Sequence, residues 1–224
     1  MLKGLSAAAI GFGVALSLAG SVQAAPQAKF ELDLWASQPA APDAYTPTDA
    51  PACIAEWRAG EGLPDGGTPD ESYALYLQKF ASTFTDSGAG ATVKGVKGIK
   101  LSEIGYDYKE GSHCGPGAPR FNVYVQGMGT YYFSLGCYYG NRHSTPTPDA
   151  TGWTRVRFED SDVWPSRADQ SPWPGFGKVV VADMWIVFDE GLDQGTGYFT
   201  MDNIVINGSV INTKPTAAPR KGNK

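Results

Sequence analysis

Between Gly98 and Cys137 apolar and polar residues alternate along the chain, and such alternation restricts a segment to a sheet with one buried face. Leu101, Glu103, Gly105 and Asp107 alternate with Ser102, Ile104, Tyr106 and Tyr108. Phe121, Val123 and Val125 alternate with Arg120, Asn122 and Tyr124, and a tight QGMG connection leads into TYYFSLGC. The stretch reads as three strands with a cysteine at each end of the last pair. Cys114 and Cys137 lie at the open end of that hairpin if its turn is near Met128, which predicts a Cys114–Cys137 disulfide. Cys53 is then left over, free or available for a disulfide-linked dimer.

The rest of the chain extends this pattern. Phe30, Leu32 and Leu34 alternate with Glu31, Asp33 and Trp35 in a first strand. Residues 53–58 read as one helical turn ended by Gly60 and Gly62. Residues 72–80 and 91–96 read as strands, as do Trp153 to Phe158, MWIVFD and YFTMDNIVI. With 28 glycines, 16 prolines and no long 3.6-residue period, the expectation is an all-β, two-sheet β-sandwich of jelly-roll type in one domain, residues 25–211. Residues 1–24, with Lys3, an apolar run from Ala7 to Gly20 and Val22-Gln23-Ala24, read as a signal peptide of bacterial character. That places the mature chain in the periplasm or outside the cell, with no transmembrane span. Residues 212–224 form a basic tail expected to be disordered.

The closing strand YFTMDNIVING resembles the last strand of secreted jelly-roll modules with the galactose-binding-like fold, which many carbohydrate-binding modules share. CGPGAPRFNV, YYFSLGC and GWTRVRF also resemble segments of secreted bacterial proteins that carry no assigned function. The resemblance implies a jelly roll and a sugar-binding role.

The net charge of −5, with no basic stripe, excludes a nucleic-acid-binding surface. Asp107, Arg120, Asn122, Tyr124, Trp153, Arg155 and Arg157 fall on the polar phase of their strands and are expected to share one sheet face. Arg, Asn and Asp offer hydrogen bonds to sugar hydroxyls, and Trp and Tyr offer flat faces to sugar rings. A salt-bridged exterior would look similar, except for the tryptophan. The loops at 138–151 and 160–177, with Tyr138, Tyr139, Arg142, His143, Trp164, Arg167 and Trp173, are a second recognition candidate or anchors that plug the sandwich.

Calcium is a candidate ligand of Glu31, Asp189, Asp193 and Asp202 if the terminal strands meet, although DEGLDQGTG lacks EF-hand spacing. Zinc on His113, Cys114, Cys137 and His143 competes with the disulfide for the same sulfurs. No nucleophile elbow, zincin motif or P-loop is present. The carboxylate pairs Glu103/Asp107 and Glu159/Asp160 lack glycosidase geometry, being about 13 Å apart along one strand and on opposite faces respectively. The expectation is a secreted, non-catalytic carbohydrate-binding protein. The alternatives are an adhesive protein making protein contacts and a polysaccharide-cleaving enzyme. Asn207-Gly208-Ser209 forms a glycosylation sequon that is incidental in a bacterial chain.

Overall fold

The computed structural model describes residues 30–37, 53–64, 72–80, 87–140, 145–146, 152–189 and 197–211. Alternation produces strands throughout: β1 (Glu31–Ala36), β2 (Ile54–Ala59), β3 (Tyr73–Lys79), β4 (Ala89–Lys94), β5 (Ile104–Lys109), β6 (Arg120–Val125) and β7 (Tyr132–Gly136). A four-residue helix, α1 (Cys137–Gly140), follows. Then come β8 (Thr145–Pro146), β9 (Trp153–Arg157), β10 (Trp164–Pro165), β11 (Val181–Phe188), β12 (Gly197–Ile206) and β13 (Ser209–Ile211). The predicted helical turn at 53–58 is instead β2, because Ile54–Ala59 pairs along its whole length with β3. Tertiary pairing overrides a weak local helical preference there.

Two antiparallel sheets pack as a β-sandwich, an arrangement consistent with a jelly roll. One has the order β1-β4-β11-β6-β7-β10, and the other β2-β3-β12-β5-β9-β8 with β13 added beside β12. Most connections switch sheets. Among the described strands, consecutive ones pair with each other only at β2–β3, β6–β7, β8–β9 and β12–β13. The stretch from Gly98 to Cys137 is therefore divided, with β5 in the seven-stranded sheet and the β6–β7 hairpin in the six-stranded sheet. The predicted disulfide is present, and Cys114 and Cys137 close the open end of that hairpin with their Cα atoms 5.2 Å apart. Cys53 is free and buried in the core, so its thiol is not presented to a second chain.

The core lies between the sheets. Phe121, Val123, Leu135, Met184 and Ile186 of one sheet meet Leu75, Leu77, Tyr106, Phe199, Met201 and Ile204 of the other. Tyr106 is caged by Phe121, Phe158 and Phe199, with ring centroids 5.7 to 6.1 Å away. Its hydroxyl is buried with no hydrogen-bond partner among the described residues. A buried hydroxyl without a partner costs its desolvation and gains nothing in return. Tyr106→Phe is therefore expected to raise stability by about 1 kcal/mol in urea titrations at neutral pH. Burial also holds the Tyr106 hydroxyl well above the ordinary tyrosine value of 10.0. Above about pH 10 the unfolded tyrosine loses its proton while the folded one keeps it, so stability falls as pH rises. The advantage of the phenylalanine variant should accordingly widen above pH 10, and a loss of stability in that variant would mean that the hydroxyl is bonded.

The chain ends its described part in an Asn-Gly hairpin. Asn207 and Gly208 both have positive φ, 50° and 75°, as a two-residue turn joining β12 to β13 requires. The Asn207 side chain is fully engaged: Oδ1 accepts from Ser102 N, Ser102 Oγ and Glu103 N, and Nδ2 donates to Lys100 O at 2.7 Å. The sequon is thus a structural turn whose amide nitrogen ties two segments together.

Candidate functional site

The seven residues expected on one face are split between the outer faces of the two sheets. Asp107, Trp153, Arg155 and Arg157 belong to β5 and β9 in the seven-stranded sheet. Arg120, Asn122 and Tyr124 belong to β6 in the six-stranded sheet. Alternation assigns a residue to the outside of its own sheet. Nothing local reports which sheet that is, and the β5–β6 crossover separates the two groups.

On the seven-stranded sheet, the predicted residues build a buried ionic network. Asp202 and Asp107 are directly opposed on β12 and β5, and both are fully buried. Two opposed carboxylates repel unless compensated, and the compensation is explicit. Arg155, opposite Asp107 on β9, grips it with Nε–Oδ1 at 2.9 Å and Nη2–Oδ2 at 3.1 Å. Asn203 Nδ2 donates to Asp107 Oδ2 at 3.0 Å, and Arg157 Nη1 lies 3.7 Å from Oδ1. Asp202 accepts from Leu63 N at 2.7 Å and from Asn203 N at 2.6 Å. Asn203 can serve both carboxylates because β12 shifts register between Asp202 and Val205, where Asn203 takes φ 45°. The Asp107 hydrogen bonds hold Arg155 above its ordinary value, whereas burial pulls Arg157 down.

The same contacts cover Trp153. Leu63 packs with Ala74 and Trp153 in a small apolar cluster outside the sheet, leaving the indole 8% exposed. Gly62 fits beneath because it has no side chain: a Cβ there would sit 2.5 Å from Tyr73 O and 2.9 Å from Asp202 Oδ2. The unusual tryptophan on a polar strand face is explained by a covering segment, and Asp107 and Trp153 are not presented to solvent.

The six-stranded sheet presents an accessible face. Trp185 of β11 is 37% exposed and lies beside Tyr124 of β6, which lies beside Tyr132 of β7, each pair of centroids 5.5 Å apart. Register places Trp185 opposite Asn122, and Asn122 opposite Ser134. Arg120 organises one side of this face: Nη2 binds Asp189 Oδ2 at 2.7 Å, Nε binds Asn122 Oδ1 at 2.9 Å, and Nη1 binds Gly117 O at 2.7 Å. Asp183 steadies the indole by accepting from Trp185 Nε1 at 2.9 Å. Burial, aided by Tyr132 and Asp183, raises the Tyr124 hydroxyl above the ordinary tyrosine value, so it remains a donor at neutral pH. Trp185 was legible as a candidate: it occupies the polar phase of a strand whose other phase is Met184, Ile186 and Phe188.

The loop candidates are also divided. Trp173 is an anchor, packed against Phe133 at 4.9 Å and donating through Nε1 to Asp160 Oδ1 at 2.9 Å. Trp164 is 51% exposed and stacks near Tyr139 at 5.1 Å, next to the exposed Tyr138. Arg167 pairs with Asp169 at 3.1 Å and lies over Tyr131. Arg142 and His143 lie outside the described residues.

The calcium residues do not converge. Glu31 is opposite Lys94 at the edge of the six-stranded sheet, Asp189 is held by Arg120, and Asp202 belongs to the other sheet. Asp193 lies outside the described residues. Among the described residues no group of three or more His, Cys, Asp or Glu side chains is disposed to hold a metal ion. The zinc arrangement is replaced by the disulfide. No helix among the described residues is long and apolar enough to cross a membrane. Comparison with protein-family models finds no match, and comparisons with curated proteins and with solved structures find none either.

Proposed function

We propose that this is a secreted, non-catalytic carbohydrate-binding protein that uses the outer face of the six-stranded sheet. The supporting observation is the Trp185–Tyr124–Tyr132 cluster, continuous through Tyr124 and Trp185 with Asn122 and Arg120. Indole and phenol rings stack on the C–H surfaces of sugar rings, and the amide and hydroxyl groups beside them bond the hydroxyls. Rigid, packed aromatics lose little conformational entropy when a ligand covers them, which favours binding. A disulfide within the chain agrees with an oxidising compartment outside the cytoplasm. Arg120, Asn122 and Tyr124 keep their place in this reading, and Trp185 and Tyr132 join them. Asp107, Trp153, Arg155 and Arg157 act through stability.

Affinity electrophoresis in gels containing individual polysaccharides tests the reading. Retention is expected for at least one glycan, with Trp185→Ala weakening it roughly tenfold, as the loss of one stacked aromatic implies. The Trp185→Ala protein should keep its thermal midpoint within a few degrees, since the indole is partly exposed. Equal retention of the variant and the parent would refute this use of the face.

A further inference from the structure

One cross-strand rung connects the two exposed tryptophans of the six-stranded sheet. Trp185 on β11 is opposite Asn122 on β6, Asn122 is opposite Ser134 on β7, and Ser134 is opposite Trp164 on β10. Side chains on one rung leave the sheet on the same side, and three strand spacings separate the tryptophans by roughly 14 Å. Between them lies Asn122, only 4% exposed. Arg120 Nε can only donate, so the Asn122 oxygen must face it, at 2.9 Å, and the amide nitrogen faces away. The Nδ2 hydrogens have no partner among the described residues. That nitrogen keeps contact with solvent, and an acceptor from a ligand can take the place of the water it meets there.

Charge narrows the ligand. Among the described outward strand positions of this sheet the cations are Arg120 and Lys94, and both face carboxylates: Arg120 Nη2 lies 2.7 Å from Asp189 Oδ2, and Lys94 Nζ lies 3.3 Å from Asp33 Oδ2. Asp183 adds a carboxylate in contact with Trp185. At these described strand positions a uronate or sulfated chain would meet Asp183 and Asp189 and cations already facing carboxylates, on a protein whose net charge is −5.

We propose that the ligand is an uncharged, extended polysaccharide lying across the strands along this rung. Trp185 stacks under one sugar ring, Asn122 Nδ2 and Ser134 Oγ bond hydroxyls of the intervening chain, and Trp164 stacks under a ring further along. The proposal rests on the carbohydrate-binding reading and adds the charge class and the path of the chain. It is tested by retention of the full protein on cellulose, chitin and xyloglucan against alginate and polygalacturonate. Calorimetry then follows with disaccharides and hexasaccharides of whichever polymer is retained. The expected result is retention by a neutral polymer, little changed by salt, with the hexasaccharide bound roughly tenfold more tightly than the disaccharide. Trp164→Ala should remove that length preference, and Asn122→Ala should weaken binding of both lengths. Salt-sensitive preference for alginate or polygalacturonate overturns the charge class. A length preference unchanged in Trp164→Ala overturns the path while Trp185-dependent binding stands. Retention by none of the five polymers overturns this proposal, and failure across a wider set of glycans overturns the carbohydrate reading beneath it.

Discussion

Arg155→Met is expected to destabilise the protein by about 3 kcal/mol, measured as the shift in urea midpoint at constant slope, whereas Asp107→Asn should cost only about 1 kcal/mol. The asymmetry follows from burial. Asp107 is fully shielded from water, while the Arg155 side chain is 33% exposed. Removing the arginine leaves a buried carboxylate opposite a second one, Asp202, with Arg157 at 3.7 Å and a single amide as compensation. Removing the charge of Asp107 instead relieves that opposition and leaves a guanidinium that water can reach. The Arg155→Met cost should shrink in the Asp107→Asn background, giving a coupling energy of at least about 1 kcal/mol in the double-mutant cycle. Equal costs for the two single variants, or no coupling, would show that the pair behaves as an ordinary surface ion pair. Binding to a glycan should be unaltered in Arg155→Met protein that remains folded, because the network and the proposed binding face lie on opposite sheets.

Removing the disulfide by Cys114→Ser with Cys137→Ser is expected to cost about 3 kcal/mol, from the chain entropy released when a loop of sequence separation 23 is opened. The bridge closes the hairpin that carries Arg120, Asn122, Tyr124 and Tyr132, so its loss should loosen the binding face before the other sheet. Hydrogen exchange checks this: protection in β6 and β7 should fall more than protection in β3 and β12. Uniform loss of protection would mean that the bridge stabilises the whole sandwich and not the hairpin locally. Reduction of the parent protein should reproduce the variant, and Cys53, buried in the core, should react with thiol reagents only after unfolding.

The hairpin, its disulfide and the strand phases were legible from residues 98–137 and 153–158, because period-2 alternation and the position of two cysteines are local signals. The same logic could have found Trp185, whose neighbours on both sides point into the core. The helical reading of 53–58 failed because a six-residue segment takes its state from the strand it pairs with. The single ligand face failed for a different reason. Phe121 and Tyr106 both point inward, yet they approach the core from opposite sides, with centroids 5.8 Å apart. Asn122 and Asp107 are consequently turned toward opposite exteriors.

The covering of Trp153 by Leu63 joins positions ninety residues apart, and the grip on Asp202 by Leu63 N spans 139 residues. No window of local sequence contains such a contact. The chain by itself determined that strands form, which side of each is apolar and which cysteines bond, since each depends on neighbours within a hairpin. Only the tertiary structure decided which sheet each strand joins. That choice separated a buried carboxylate–arginine network from an open aromatic face, because strand pairing is selected by long-range packing and hydrogen bonding that alternation does not encode.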